Sequence, residues 1–543
     1  MVKTCDRLEH AIIQWREALG KDAVVGSGKT IELYRCCTTN IKRKIPAVLI
    51  PRSSEQVAGA VEIARRHKIP LYPISTGHNW GYGSANPVVD DCVIVDLSGM
   101  DRIEIDAELG LATLEPGVTQ QKLHDYLTRR NLPFMVPVTG AGPTCSLVGN
   151  ALERGYGITP YTDHFAAVTA LKAVLPDGSI YQTALTELGG ALVDRAYKWG
   201  LGPYLDGLFA QGNFGIVTEM TIALARRPAC MEGFFFSVRH DEGLEDAVEA
   251  LRDILGRTEG ITGSINLMNT RRVLSMLAPY PDYDRSQNHT IPPHILARLA
   301  QQHQVMPWTG VGAIYGEKQL TKAAKAVIKA RLRGRVQRLI FLRPPAIRGV
   351  RRCLDHSAYL RESRLAKMAR RLEATLKIMQ GEPSEIALPL SYWKANVKQP
   401  AGAALDPARD GCGLLWYAPL VPMKREEVRL FVSMVEEICL SHGMEPLITL
   451  TSLSGRCFDS TVPLLFDKNN PDEAMRAEKC YAALWAAGRG NGFVPYRMGV
   501  HSMPLATERR TPYWDMVNTL KMALDPDHII SPGRYSPSAD KKK

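Results

Sequence analysis

Residues 73–83 read Pro-Ile-Ser-Thr-Gly-His-Asn-Trp-Gly-Tyr-Gly. A strand that ends in such a glycine-rich loop exposes backbone N–H groups able to wrap a phosphate. Turns ordinarily carry Asn, Asp, Ser or Pro, so the concentration of His78, Trp80 and Tyr82 points beyond a plain surface turn. Three other clusters have comparable density. One includes Gly149-Asn150-Ala151-Leu152-Glu153-Arg154-Gly155-Tyr156-Gly157 and then Thr159-Pro160-Tyr161-Thr162-Asp163-His164. Another runs from Gly202-Pro203-Tyr204 through Asp206 to Gly212-Asn213-Phe214-Gly215-Ile216-Val217-Thr218. The last holds Tyr496-Arg497, Asp525-Pro526 and Ser531-Pro532-Gly533-Arg534. An isolated Tyr-Arg pair is ordinarily a packed aromatic beside a surface cation, and Asp163 before His164 also suits a cap.

The elements that must position these clusters are legible in the pattern. Ser53 with Gln56 three residues on, then Val57, Val61, Ile63 and Ala64, predicts a capped helix that gives way at Pro70 to a short strand over 71–74. Strands are expected at 93–97, 111–115 and 170–175, the last joined to 180–182 through the Pro176-Asp177-Gly178 turn. Beyond about 229 the texture changes to longer helices, such as 320–332 and 426–440, mixed with strands such as 413–418. The motif density returns after 494. We therefore expect an N-terminal domain (1–228), a large insertion (229–494) and a C-terminal return to the first domain (495–543).

A chain of 543 residues is too long for one core. Its 45% hydrophobic and 23% charged content are those of an ordinary globular protein. No apolar run reaches the length of a membrane span, and no secretory signal opens the chain. Eleven scattered cysteines without a Cys-x-x-Cys pair argue against a disulfide framework or a metal site, and a reducing cytoplasm is expected. Much of the net charge of +11 falls between 322 and 371. No nucleic-acid signature accompanies it, so a solvated or partner-facing surface is the better reading, with an acidic partner or an anionic membrane surface left open. The lysines 541–543 read as a disordered tail. Gly26-Ser27-Gly28-Lys29-Thr30 fails as a P-loop because Ala23 stands where glycine is required. Neither a dinucleotide-binding Gly-x-Gly-x-x-Gly, a His-Glu-x-x-His nor a Gly-x-Ser-x-Gly is present. Asn288-His289-Thr290 is a glycosylation acceptor in form only.

In order and spacing, the four clusters closely resemble those of the vanillyl-alcohol oxidase / p-cresol methylhydroxylase flavoproteins, from Pro51-Arg52-Ser53 to Gly533. The resemblance implies an α+β fold: a two-subdomain, PCMH-type FAD-binding domain with an inserted α+β cap domain. It implies FAD held by Ser75, Thr76, Gly77, His78 and Asn79 on one wall, Gly149, Asn150 and Gly155 on the other, Ile216 and Val217 on the adenine side, and Arg534. Tyr82, Tyr496 and Arg497 match the residues that bind a phenol oxygen as phenolate, and Asp163 matches the acid beside flavin N5. The implied activity is hydride transfer from the benzylic carbon of a para-substituted phenol, through a quinone methide. The acceptor would be oxygen or an electron-carrier protein, and the assembly a homodimer or higher homo-oligomer. An oxidase or dehydrogenase of a non-phenolic alcohol, hydroxy acid or alkaloid is the alternative, and a non-catalytic basic flavoprotein a third reading.

The chain departs from the family where members attach FAD through a cap-domain His or Tyr. Leu414 falls there, and leucine cannot form the link. His78 lies where berberine-bridge-type enzymes carry a flavin-linked histidine, so it is either an attachment point or a phosphate ligand. Their attachment cysteine would fall near Gly142, three residues from Cys145. Phe165, Trp393, Trp416, Phe458 and His501 are expected as pocket walls.

Overall fold

Ser53 caps the helix Ser54–His67 by accepting the Gln56 N–H at 3.3 Å, and Gln56 Oε1 reaches back to the Arg52 N–H at 2.7 Å. The helix buries Val57, Ala60, Val61 and Ala64 and stops at Lys68 in the left-handed region. Trp15, from the helix Thr4–Leu19, packs on it and donates its indole N–H to the Ala60 carbonyl at 3.1 Å. Beneath lies a four-stranded sheet in the order Val24–Val25, Val48–Leu49, Val93–Asp96, Leu71–Ile74, the last two parallel. In such sheets ligands gather beyond the carboxyl ends of the strands, which is where the 75–83 loop begins. The computed structural model describes residues 4–26, 28–284, 289–356, 358–395 and 397–537. Ser27, Asn288 and the lysines 541–543 lie outside the described residues.

A second, antiparallel sheet has the order Ile103–Asp106, Leu111–Leu114, Ile216–Ala223, Val168–Val174, Ile180–Gln182. Its closing hairpin turns at Asp177, whose Oδ1 accepts the Ser179 N–H at 2.9 Å.

The third sheet has eight strands and is drawn wholly from residues 230–467. Its order is Arg338–Leu342, Cys230–Val238, Trp308–Gly316, Asn266–Asn269, Thr449–Ser452, Cys457–Asp467 and Cys412–Tyr417, with Leu420–Pro422 pairing on Cys457–Asp467. Helices Leu244–Arg257, Lys318–Leu332, Arg425–Ser441 and Pro471–Gly490 cover one face with the largest apolar cluster. The other face is left to line a cavity. The fold is thus mixed helix and sheet, as the resemblance implied. Among the described residues, no helix is long and apolar enough to cross a membrane, and no metal-binding group occurs.

After the cap the chain returns to the first sheet. The Leu71 N–H donates to the Ile529 carbonyl at 2.7 Å and the Ser531 N–H to the Leu71 carbonyl at 2.8 Å. Lys521 and Asp525, 1% and 2% exposed, secure the return. Lys521 Nζ donates to Asp525 Oδ2 at 2.6 Å and to the carbonyls of Asn213 at 2.6 Å and Ile530 at 2.8 Å. Asp525 in turn accepts the N–H groups of Ile529 and Ile530, both at 2.8 Å. Removing one partner leaves a buried charge without its mate. Lys521→Met is therefore expected to lower unfolding free energy by about 3–5 kcal/mol, measured by denaturant titration; an unchanged midpoint would contradict it.

Candidate active site

The loop after Leu71–Ile74 is fastened on three sides. The Gly81 N–H donates to Thr38 Oγ1 at 2.7 Å, the Trp416 N–H to the Gly81 carbonyl at 3.3 Å, and the Val500 N–H to the Tyr82 carbonyl at 2.8 Å. Gly81 has φ of 77°, and a Cβ there would fall 2.1 Å from Trp416 Cδ1. Only glycine lets the cap's strand close over this loop. The result is a buried Tyr82 whose ring lies under the Arg497 guanidinium, 4.3 Å from Cζ to centroid.

Arg497 also donates to Asn79 Oδ1 and lies 3.3 Å from Glu153 Oε2. The other Glu153 oxygen pairs with Arg534, which donates to Tyr72 Oη at 3.2 Å. Gln211 ties the arrangement together, its amide donating to the carbonyls of Glu153 at 3.2 Å and Tyr496 at 2.9 Å. Burial would raise the Glu153 pKa, yet Arg534 and then Arg497 hold it below the ordinary carboxylate value. Burial opposes charge on Arg497, but Glu153 and the surrounding tyrosines keep its pKa raised. Tyr82 is pushed well up by burial and then by Tyr496, and Tyr496 is pushed up by burial and then by Asp459. Both phenols therefore stay protonated and available as donors. Asp459 is fully buried, neither carboxyl oxygen has a hydrogen-bond partner, and burial drives its pKa well up against the pull of Arg497.

Tyr82, Glu153, Tyr496, Arg497 and Arg534 line a cavity of about 1280 Å³. Drug-sized ligands ordinarily occupy about 300–1,000 Å³, so a dinucleotide and a substrate both find room. Its walls include Ser75, Thr76, Gly77, His78, Asn79, Gly149, Asn150, Gly155, Val217 and Arg534. A Cβ on Gly149 would lie 2.8 Å from Ser75 Oγ, so the helix Leu147–Leu152 and the 75–79 loop form one continuous wall. This donor-rich backbone fits FAD. His78 Nδ1 lies 3.2 Å from the Thr144 carbonyl, which can only accept, so Nε2 holds the free lone pair. The His78 ring stacks on Trp80 at 5.1 Å. The sheet forms the opposite wall. Ile340, Phe235, Val311, Asn266, Thr451 and Asp459 stand opposite one another on successive strands. Five strand spacings put the ends of that row about 24 Å apart.

Tyr82, Tyr496 and Arg497 thus meet in one cavity although more than four hundred residues separate the first from the others. Other expectations need correction. Asp163 is exposed and does not line the cavity, because its Oδ1 caps a turn by accepting the Ala166 N–H at 2.9 Å. Ile216 points into the apolar core beside Val174 while its neighbour Val217 faces the cavity, as strand alternation requires. Of the expected walls, Trp416 lines the cavity, as does Leu414. Phe458 is core, His501 packs on Tyr481 at 4.9 Å, the Trp393 indole donates to the Ala278 carbonyl at 2.9 Å, and Phe165 lies under Lys198. Glu153 and Asp459 were not singled out as site residues. A lone acid inside the largely apolar stretch 457–466 was the available signal for Asp459.

Residues 45–184 match the family described as FAD binding domain. The chain is 36% identical over 97% of its length to 1'-carboxy-chondrochloren decarboxylase of Chondromyces crocatus, covering 97% of that protein. It is 27% identical to the flavoprotein subunit of 4-cresol dehydrogenase (hydroxylating) of Pseudomonas putida, over 96% of this chain and 94% of that one. The crystal structure of p-cresol methylhydroxylase with substrate bound superposes with a TM-score of 0.87 at 25% identity, covering 99% of this chain and 98% of that one.

Two buried imidazoles flank this region. Burial pushes His164 and His501 down from the ordinary 6.5 to about 4. Between those values the unfolded chain binds more protons than the folded one. Stability is therefore complete above pH 6.5 and falls on acidification towards pH 4, by up to about 1.4 kcal/mol per pH unit for each group. Denaturation midpoints across pH 4–7 should show this slope, flattened in a His501→Phe variant; an equal slope in both would contradict it.

Proposed function

Because the chain belongs to the vanillyl-alcohol oxidase / p-cresol methylhydroxylase family of FAD-dependent flavoproteins, we propose that it oxidises para-substituted phenols at the benzylic carbon, by way of a quinone methide. The observation that carries this reading is the meeting of two protonated phenols, Tyr82 and Tyr496, with the Arg497 guanidinium at one end of the cavity. A substrate phenol oxygen placed among them is stabilised as phenolate, since hydrogen bonds to a charged oxygen are the strong ones. Phenolate charge delocalises to the para carbon and eases loss of hydride from the attached benzylic carbon. Bound FAD supplies the hydride acceptor. Oxygen or an electron-carrier protein then reoxidises the enzyme, and the yield of hydrogen peroxide against dye reduction in one assay separates the two.

A second outcome of the same oxidation is favoured by the similarity to a carboxy-compound decarboxylase along nearly the whole of both chains. If the carbon next to the benzylic position bears a carboxylate, the quinone methide can expel carbon dioxide. The electron pair of the breaking C–C bond forms a new alkene, the ring returns to phenolate, and no further oxidant is needed.

Anaerobic mixing with para-substituted phenols should bleach the flavin, and failure with every such phenol would overturn the reading. Arg497→Ala should slow reduction about tenfold to hundredfold, the worth of a hydrogen bond to a charged group, while FAD content measured by absorbance is kept. His78, with Nε2 free, is our candidate attachment point for FAD. An acid-precipitated pellet that stays yellow in the wild type and turns white in His78→Ala is the expected result; a white wild-type pellet would exclude a covalent bond.

A further inference from the structure

We propose that Arg272 is a binding residue for an anionic group, a carboxylate, on the substrate, so that the enzyme takes phenols bearing an acid on the chain attached to the ring. The proposal rests on the phenol reading above and specifies its substrate class.

Arg272 lies on the helix Thr270–Leu277 and lines the cavity. Its hydrogen-bond partners are neutral: Nε donates to Thr449 Oγ1 at 3.2 Å and Nη1 to Ser275 Oγ at 3.3 Å. Among the described residues no carboxylate lies within ion-pair distance of it. The adjacent Arg271 shows the contrast, since it is buried against Glu445 and also donates to the Ile291 carbonyl at 3.2 Å. Burial pulls the Arg272 pKa down to about 10, with no anion to offset it. Arg272 is partly buried, and a guanidinium set beside hydroxyls alone lacks a counter-charge unless something else brings it. An open cavity is where that something can enter.

Position supports the same conclusion. Thr449, which anchors Arg272, stands opposite Thr461, and Thr461 is two residues from Asp459 on the same face of its strand. One strand spacing across and two residues along place the Thr449 backbone about 8 Å from that of Asp459. Arg272 therefore sits over the strand adjacent to the one that carries Asp459, in the same cavity as Tyr82, Tyr496 and Arg497. Apolar side chains, Met268, Val311 and Leu414 among them, line other parts of the same cavity. Outside, Arg364, Lys367 and Arg371 project from the helix Arg364–Met379 at three- and four-residue spacing, and Arg338 joins them at the mouth. Glu362 is there too, 3.5 Å from Lys367, but cations remain in excess. His303, between them, is depressed by burial and then by Arg364 and Arg371, which reports the positive field. Such a rim draws anions inward.

The holoenzyme is tested with 3-(4-hydroxyphenyl)propanoate and its methyl ester. Two readouts are taken: anaerobic flavin reduction, and the change in flavin absorbance on binding. The wild type should prefer the acid, and rising salt should weaken the acid but not the ester. Arg272→Met should lose about tenfold to hundredfold on the acid and little on the ester, with FAD content and melting temperature kept. Arg272→Lys, which retains the charge, should recover part of the loss and stands in should the methionine variant fail to fold. Equal losses on acid and ester, or a wild type indifferent to the carboxylate, would overturn the proposal. If neither compound reduces the flavin but the absorbance titration still discriminates them through Arg272, the phenol reading fails while the carboxylate site survives.

Discussion

Two guanidinium groups, Arg497 and Arg534, share the single carboxylate of Glu153 in a space from which water is largely excluded. The three residues come from three parts of the chain: the turn after the helix Leu147–Leu152, the first residues after the cap, and the terminal segment. Charges this deep are tolerated only when paired and hydrogen-bonded, so the segments cannot drift apart independently. Gln211 adds a tie between the backbones of Glu153 and Tyr496. The sum of two cations and one anion is positive. That residual charge faces the cavity beside Tyr82 and Tyr496, and it is what an anionic oxygen would meet.

The cap supplies the other half of the design. One face of its sheet is covered by helices and their apolar side chains, so the opposite face is free to floor a long cavity. Because facing residues on neighbouring strands share a side, one row of side chains runs from the cationic mouth near Arg338 towards Asp459. Chemistry is concentrated at the Asp459 end, where the cap meets the 75–83 loop through Trp416 and Gly81.

Local motifs were the parts most legible in the chain. The Ser53–Gln56 cap, the hairpin at Asp177 and the strand–loop transition at Ile74 depend on residues close in sequence, and each formed at its expected place within a few residues. The cofactor walls were legible for the same reason, since a backbone cradle is written in glycines and small residues. Misreadings came where a side chain's direction, not its identity, decides its use. Asp163 has the right chemistry but turns outward to cap its own turn, and Ile216 is one residue out of phase with the cavity. Asp459 and Arg272 were missed because a titratable group without an ion-pair partner is recognised only by what surrounds it.

The sequence by itself determined the family and the cofactor, and it named Tyr82, Tyr496 and Arg497, which the structure brings to one cavity, because these are carried by residue type and local spacing. Tertiary structure decided which acids and cations lack partners and which aromatics face the cavity. Those properties belong to burial and neighbourhood. Both are set by how the cap sheet, the returning terminal segment and the 75–83 loop close on one another, and no local pattern encodes that closure.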